Sequence, residues 1–378
     1  MLGPVEDITN GVVVHQVTDE PQDKHNIYCE YPWCPPDGHC FAYVRHAPEH
    51  APNQAELVLC DFGTWQKRSL GFCSGVESMA AGRLYYRRIN DQGRRELLRL
   101  DWATERSEVL ELPAGVPDRG RLEVSPDERY VAYNMALSFA PKRFAIGLAD
   151  RQTGQCGVLH EDPDICNPHQ QFEPGAGRRL LIQHNRGCEF TPAGQMTRLV
   201  GDEGATLFTL DVPSGAVTRL PLGPPHTVGI SGHECWIGTS GEVLATLNTS
   251  GDYDHGKGPI VAVRPGGGPA REVCKPWRMN HLGMEPSGRM FCADAFVRDE
   301  IIIGVPATNR AAFVCRARTS YKRSAARGAW SDSHPHAYVS PDLRWVVFNS
   351  DRSGVQQVYC AALPREMVSL LLAEAKGA

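Results

Sequence analysis

The sequence predicts an all-β protein, a seven-bladed β-propeller of four-stranded antiparallel blades. Two observations carry that prediction. The first is a recurring frame: a histidine, a bulky apolar residue three positions on, and a Pro or Gly at the fifth. It occurs as His169-Gln170-Gln171-Phe172-Glu173-Pro174, His233-Glu234-Cys235-Trp236-Ile237-Gly238, His281-Leu282-Gly283-Met284-Glu285-Pro286 and His336-Ala337-Tyr338-Val339-Ser340-Pro341. Three more stretches fit without the histidine, starting at Tyr31, Val76 and Arg121. Successive frames lie roughly 45 to 65 residues apart, a period that belongs to propellers and solenoids. The second observation is an apolar, β-rich segment after each frame, at residues 40–44, 84–87, 130–133, 180–183, 243–247, 290–293 and 345–348. Most repeats then carry a further hairpin, such as 206–211 and 216–220 around Val212-Pro213-Ser214-Gly215. Four short strands per repeat, seven times over, make a propeller. A solenoid or a pair of β-sandwiches is the alternative.

The ends of the chain have their own places in this scheme. Residues 11–18, Gly11-Val12-Val13-Val14-His15-Gln16-Val17-Thr18, form a strand with no frame before them. They are expected to supply the outer strand of the last blade and so remove a free sheet edge. Residues 364–376 have helical spacing and are expected to form a short surface helix. The 378 residues would ordinarily suggest two or three domains, but the repeat argues for one closed domain.

Composition narrows the function classes. A formal net charge of -5 gives no electrostatic case for nucleic acid. No apolar run approaches membrane-spanning length, and the first residues lack a basic segment followed by an apolar one. The thirteen cysteines are scattered, several inside apolar strands, with no Cys-x-x-Cys pair. A disulfide framework is therefore not expected, and the anticipated compartment is the cytoplasm.

In a propeller the innermost strands line a central channel, and each framed histidine opens such a strand near the channel mouth. Side chains alternate along a strand, so His334 and His336 are expected to point the same way. His281 belongs to the neighbouring blade. The three imidazoles can meet as a metal site, with Ser331 or Asp332 close by for a fourth ligand. Imidazole suits Mn, Fe, Ni, Cu or Zn, and oxygen completion favours manganese or a similar hard ion. His169 and Arg121 share the level of this site and are expected to touch a ligand, Arg121 through a carboxylate. The turns after the second strands add His184, Arg186, Tyr253, His255 and Arg352 to a cation-rich rim, which suits an acidic oligosaccharide through bidentate arginine pairing.

These residues resemble a known family. The segments His334-Pro335-His336-Ala337-Tyr338-Val339-Ser340-Pro341-Asp342, Phe348-Asn349-Ser350-Asp351-Arg352-Ser353-Gly354, Gly232-His233-Glu234-Cys235-Trp236 and 169–185 are similar to the corresponding blades of oligogalacturonate lyases. The resemblance implies a seven-bladed propeller, a cytoplasmic enzyme, and manganese-dependent β-elimination of short uronate oligomers. By position it implies His281, His334 and His336 as metal ligands and His233 as the base. Two positions depart from the family pattern. Ser331 stands where the family has a glutamine ligand, and Thr206-Leu207-Phe208 stands where it has a substrate-binding arginine. The inventory fits the chemistry independently, since a neutral imidazole is a competent base and a metal on the carboxylate stabilises the charge that develops. With His233 one blade before His281, base and metal are expected to flank a bound sugar ring. Tyr253, His255 and His184 are the candidates for protonating the leaving oxygen. A non-catalytic propeller that binds a glycan or a protein is the competing reading, because one fold hosts many functions.

Overall fold

The computed structural model describes residues 4–7, 10–46, 54–249, 257–295, 298–322 and 333–373, and its strands sort into seven blades. Numbered in chain order, the innermost strands are Lys24–His25, Gly75–Ala80, Leu122–Val124, Gln171–Phe172, Ile230–Trp236, Leu282–Met284 and Tyr338–Val339. The second strands are Cys40–His46, Arg83–Ile89, Tyr130–Phe139, Arg179–His184, Val243–Asn248, Phe291–Ala295 and Trp345–Ser350. Each apolar segment expected after a frame falls on one of these second strands, with only Met290 lying just before its strand. They read as short continuous apolar runs because both faces of a blade pack against neighbouring blades. Leu84, Val131, Leu181, Val243 and Phe348 are all fully buried.

The ring closes where the N-terminal strand was expected to close it. Val13–Gln16 pairs with Gln357–Ala362 in blade 7, in the register Val13↔Ala362 to Gln16↔Tyr359. Val12 and Val14 are buried in the core between blades 6 and 7. On the other side of the seam, Trp345 of blade 7 stacks on Phe62 of blade 1 at 5.4 Å. Pro4–Asp7 adds a fifth strand outside this one, which the repeat gave no reason to expect.

The C-terminal helix spans Arg365–Leu372, and residues 374–376 of the expected span lie outside the described residues. Its last turn carries no basic residue of its own. Blade 6 completes it instead: Arg310 donates to the Leu370 carbonyl at 2.6 Å and Thr308 to the Leu371 carbonyl at 2.7 Å. Carbonyls at a helix end have no partner within the helix, and a cation there also meets the negative end of the dipole.

Blade 1 departs from the repeat in a way that shapes the site. Its inner ladder is Lys24–His25 against Arg45 and Val44, and the sheet is rejoined only where Ala42 donates to the Trp33 carbonyl at 2.7 Å. Between them the chain leaves the sheet, with Ile27 at φ 73°. Asn26 anchors the exit. Its amide N–H donates to Asn349 Oδ1 at 2.8 Å, and its side chain donates to the His336 carbonyl at 2.7 Å. Trp33 anchors the return through a 2.6 Å bond from its indole to the Tyr28 carbonyl. Residues 26–31 then touch the inner strands of blades 3 to 7, which one segment can do only inside the central channel.

Gly283 of blade 6 admits this segment. A Cβ there would lie 1.9 Å from the Cys29 carbonyl oxygen. Gly283→Ala is therefore expected to lose about 1–3 kcal/mol of stability, the usual cost of overpacking a tight contact. Denaturant unfolding checks this, and unchanged stability would mean that the segment does not pass so close.

Candidate metal and acid-base site

Three framed histidines reach the channel by different local routes. His233 follows Gly232, whose φ of 85° is open to glycine, and a bulge between Ile230 and Glu234 turns the imidazole inward. His169 and His336 have φ 42° and 43°, an unusual conformation for a residue with a side chain. Backbone strain of this kind concentrates at functional sites. His334 and His336 converge, but not through strand alternation as expected. The chain around them is irregular until Tyr338, and the left-handed residue sets the direction.

Nitrogen atoms of His281, His334 and His336 lie within 4.8 Å of one another, a spacing that one ion can bridge. The ring centroids are 4.4 Å apart for His281 and His336, 5.2 Å for His281 and His334, and 5.5 Å for His334 and His336. Asp294, fully buried at the end of the second strand of blade 6, takes His281 Nδ1 at 2.8 Å. That contact occupies Nδ1 and leaves His281 Nε2 as the nitrogen open to an ion, as outer carboxylates do for metal-bound histidines. Burial, with the charges of His281 and His334, holds His336 well below the usual imidazole range and keeps it a neutral donor. The donor set fits a divalent transition cation such as manganese. Asp294→Asn is expected to weaken manganese binding about 10–100-fold with the fold intact. Titration of the metal-free protein measures this, and unchanged affinity would remove Asp294 from the site.

His233 sits against this group, its ring centroid 4.3 Å from that of His281. No sugar ring fits between these two imidazoles. Tyr28, from the blade 1 segment, completes the constellation. Its hydroxyl lies 3.4 Å from His233 Nδ1, and its ring centroid is 4.6 Å from that of His336.

Beside Tyr28 the channel turns acidic. Arg121 pairs with Glu30, and Glu123 Oε2 lies 3.9 Å from the same guanidinium. His169 Nδ1 is 3.8 Å from Glu30 and 3.7 Å from Glu234. Burial, against the pull of Arg121, pushes Glu123 up to about 8, and it accepts a 2.5 Å bond from the Tyr31 hydroxyl. Burial and the charge of Glu30 raise Glu234 well above the carboxylate range. Arg121 and His169 thus stand next to Tyr28 in the channel, but the arginine's charge is already balanced. A substrate carboxylate would have to displace Glu30 to pair with it.

The rim residues are placed differently. Arg352 donates to the carbonyls of Arg316 and Ala317 at 3.0 and 2.8 Å and covers the Tyr359 ring at 4.7 Å. Arg186 donates to the carbonyls of Gly204 and Glu203. Both guanidiniums staple loops, because carbonyls left by the turns need donors. His184 pairs with Asp162 at 3.1 Å, and with Asp164 they form a second possible metal group, although Lys142 holds Asp164 at 2.5 Å. None of these three belongs to the imidazole cluster. Tyr253, His255, Ser331 and Asp332 lie outside the described residues. Sequence reasoning missed Tyr28 and Glu30, which belong to no histidine frame. Asp294, which holds His281 Nδ1, belongs to no frame either.

No protein-family model and no curated protein matches the chain in sequence. Solved structures do match it in fold. An oligogalacturonate lyase in complex with manganese superposes with a TM-score of 0.71 at 17% identity, over 97% of each chain. The oligogalacturonate lyase of Vibrio parahaemolyticus does so with a TM-score of 0.69 at 16% identity, again over 97% of each. A hydrazine synthase of Kuenenia stuttgartiensis reaches 0.53 at 12% identity, over 90% of this chain and 97% of that one. That last match shows how widely the architecture is shared across chemistries. The chain thus resembles the oligogalacturonate lyases in fold from end to end, at the identity of a divergent relative.

Proposed function

We propose that this protein is a metal-dependent lyase that cleaves uronate-containing oligosaccharides by β-elimination. One observation carries the reading: a three-imidazole donor group in ring contact with a fourth imidazole, His233, at the inner end of a propeller channel. A divalent cation held by His281, His334 and His336 supplies, when bound, positive charge to the uronate carboxylate as the neighbouring carbon loses its proton. His233 does the proton chemistry. Its Nδ1 faces the Tyr28 hydroxyl, so in the Nδ1–H tautomer Nε2 is the atom that takes the proton from C5. The thirteen free thiols, eleven of them buried, accord with a cytoplasmic enzyme.

The test is growth of near-ultraviolet absorbance from an unsaturated uronate, using manganese-loaded full-length protein on oligogalacturonate, glucuronate-rhamnose and ulvan-type fragments. Product from any of them supports the lyase reading. Binding without product from every one would assign the propeller to glycan recognition instead.

A further inference from the structure

The stereochemistry of the reaction depends on where Tyr28 stands, provided the lyase reading holds. We propose that Tyr28 is the proton donor to the leaving oxygen, and that elimination is syn, which assigns the substrate to uronates of gluco or manno configuration.

A hydrogen bond joins the two groups. Tyr28 Oη and His233 Nδ1 are 3.4 Å apart, so acid and base belong to one hydrogen-bonded unit on one side of the site. They come from opposite parts of the chain, the blade 1 segment and the inner strand of blade 5, yet the channel brings them together. A group that bonds the base cannot also stand across a pyranose ring from it. The proton taken and the oxygen protonated therefore lie on the same face of the sugar. In 4-linked glucuronate and mannuronate, H5 and O4 are on one face. In galacturonate they are on opposite faces, which requires acid and base on either side of the ring.

The proton count closes without a co-reactant. His233 Nε2 takes H5, the C4–O4 bond breaks and the C4–C5 double bond forms. The leaving oxygen receives the Tyr28 hydroxyl proton, and Tyr28 Oη recovers a proton from His233 Nδ1. His233 ends neutral, protonated on Nε2, and returns to its starting tautomer by exchange with water. A cavity of about 280 Å³ with Tyr28, Glu77 and Arg121 on its walls adjoins the phenol and gives the departing sugar somewhere to go.

Tyr28→Phe keeps the ring that packs on His336 and removes the hydroxyl, with the proton it would donate. With manganese-loaded protein and a 4-linked glucuronate or mannuronate disaccharide, this variant is expected to lose about 10²–10⁴-fold in kcat. Manganese content should be unchanged. On the same uronate carrying an aryl ether at C4, whose phenolate leaves without a proton, Tyr28→Phe should stay within a few-fold of the parent. A merely structural tyrosine would slow both substrates equally, and that result overturns the proposal. Faster product formation from digalacturonate than from the gluco and manno disaccharides overturns the stereochemical assignment while leaving the lyase reading intact. Absence of product from every uronate overturns both.

Discussion

His233→Ala is expected to cost about 10²–10⁴-fold in turnover, the contribution of a positioned acid-base group, while manganese content and substrate binding persist. The separation of effects comes from position. His233 touches the ring of His281 but is not part of the three-nitrogen group, so its loss leaves the donor set whole. It does remove the Nδ1 atom that faces the Tyr28 hydroxyl. Metal analysis, a binding isotherm and the absorbance assay on one preparation of the variant separate the outcomes. Turnover equal to the parent would remove His233 from the chemistry, and loss of the metal would make it a ligand.

Substituting His281 and His334 together by alanine is expected to empty the metal site. The fall in affinity should exceed the roughly 100-fold that a supporting residue such as Asp294 can cost, because two of three nitrogen donors vanish. Stability should change less than for a core deletion, since these rings line a channel and are not packed between blades. Manganese per chain, measured after purification and again after soaking, reads the result directly. Stoichiometric manganese in the double variant would refute the site.

Much of the fold was legible because a propeller repeats it. The frame recurs at a near-constant period, and a short apolar run after each frame marks the strand buried on both faces. The N-terminal strand was legible as well, as a strand with no frame of its own. Pro4–Asp7 was not, because an added edge strand has no repeat to belong to. The helix was legible from its spacing, but its last turn is completed by Arg310 and Thr308, some sixty residues away in sequence.

The site divides along similar lines. Residues His281, His334, His336 and His233 could be singled out from sequence because each lies in or just before an inner strand of the repeat, but a bulge at His233 and a left-handed turn at His336 complete their approach to the channel. The rim arginines could not be judged that way. Arg186 and Arg352 read as cations available to a ligand when only their turns are considered, yet local carbonyls claim them. Arg121 looks like a carboxylate ligand until Glu30 is placed beside it.

Periodicity therefore accounts for the seven blades, the closing strand and the histidines in register, all of which can be read along the chain. The channel also holds groups from outside that period, and folding alone places them. Tyr28 and Glu30 sit in a segment that leaves blade 1 and meets residues up to some three hundred positions away. Its path is set by Asn349, the His336 carbonyl and the space left by Gly283, contacts that exist only once the ring has closed. Short-range pattern cannot encode them, because each is a long-range packing or hydrogen-bond condition imposed on the folded chain.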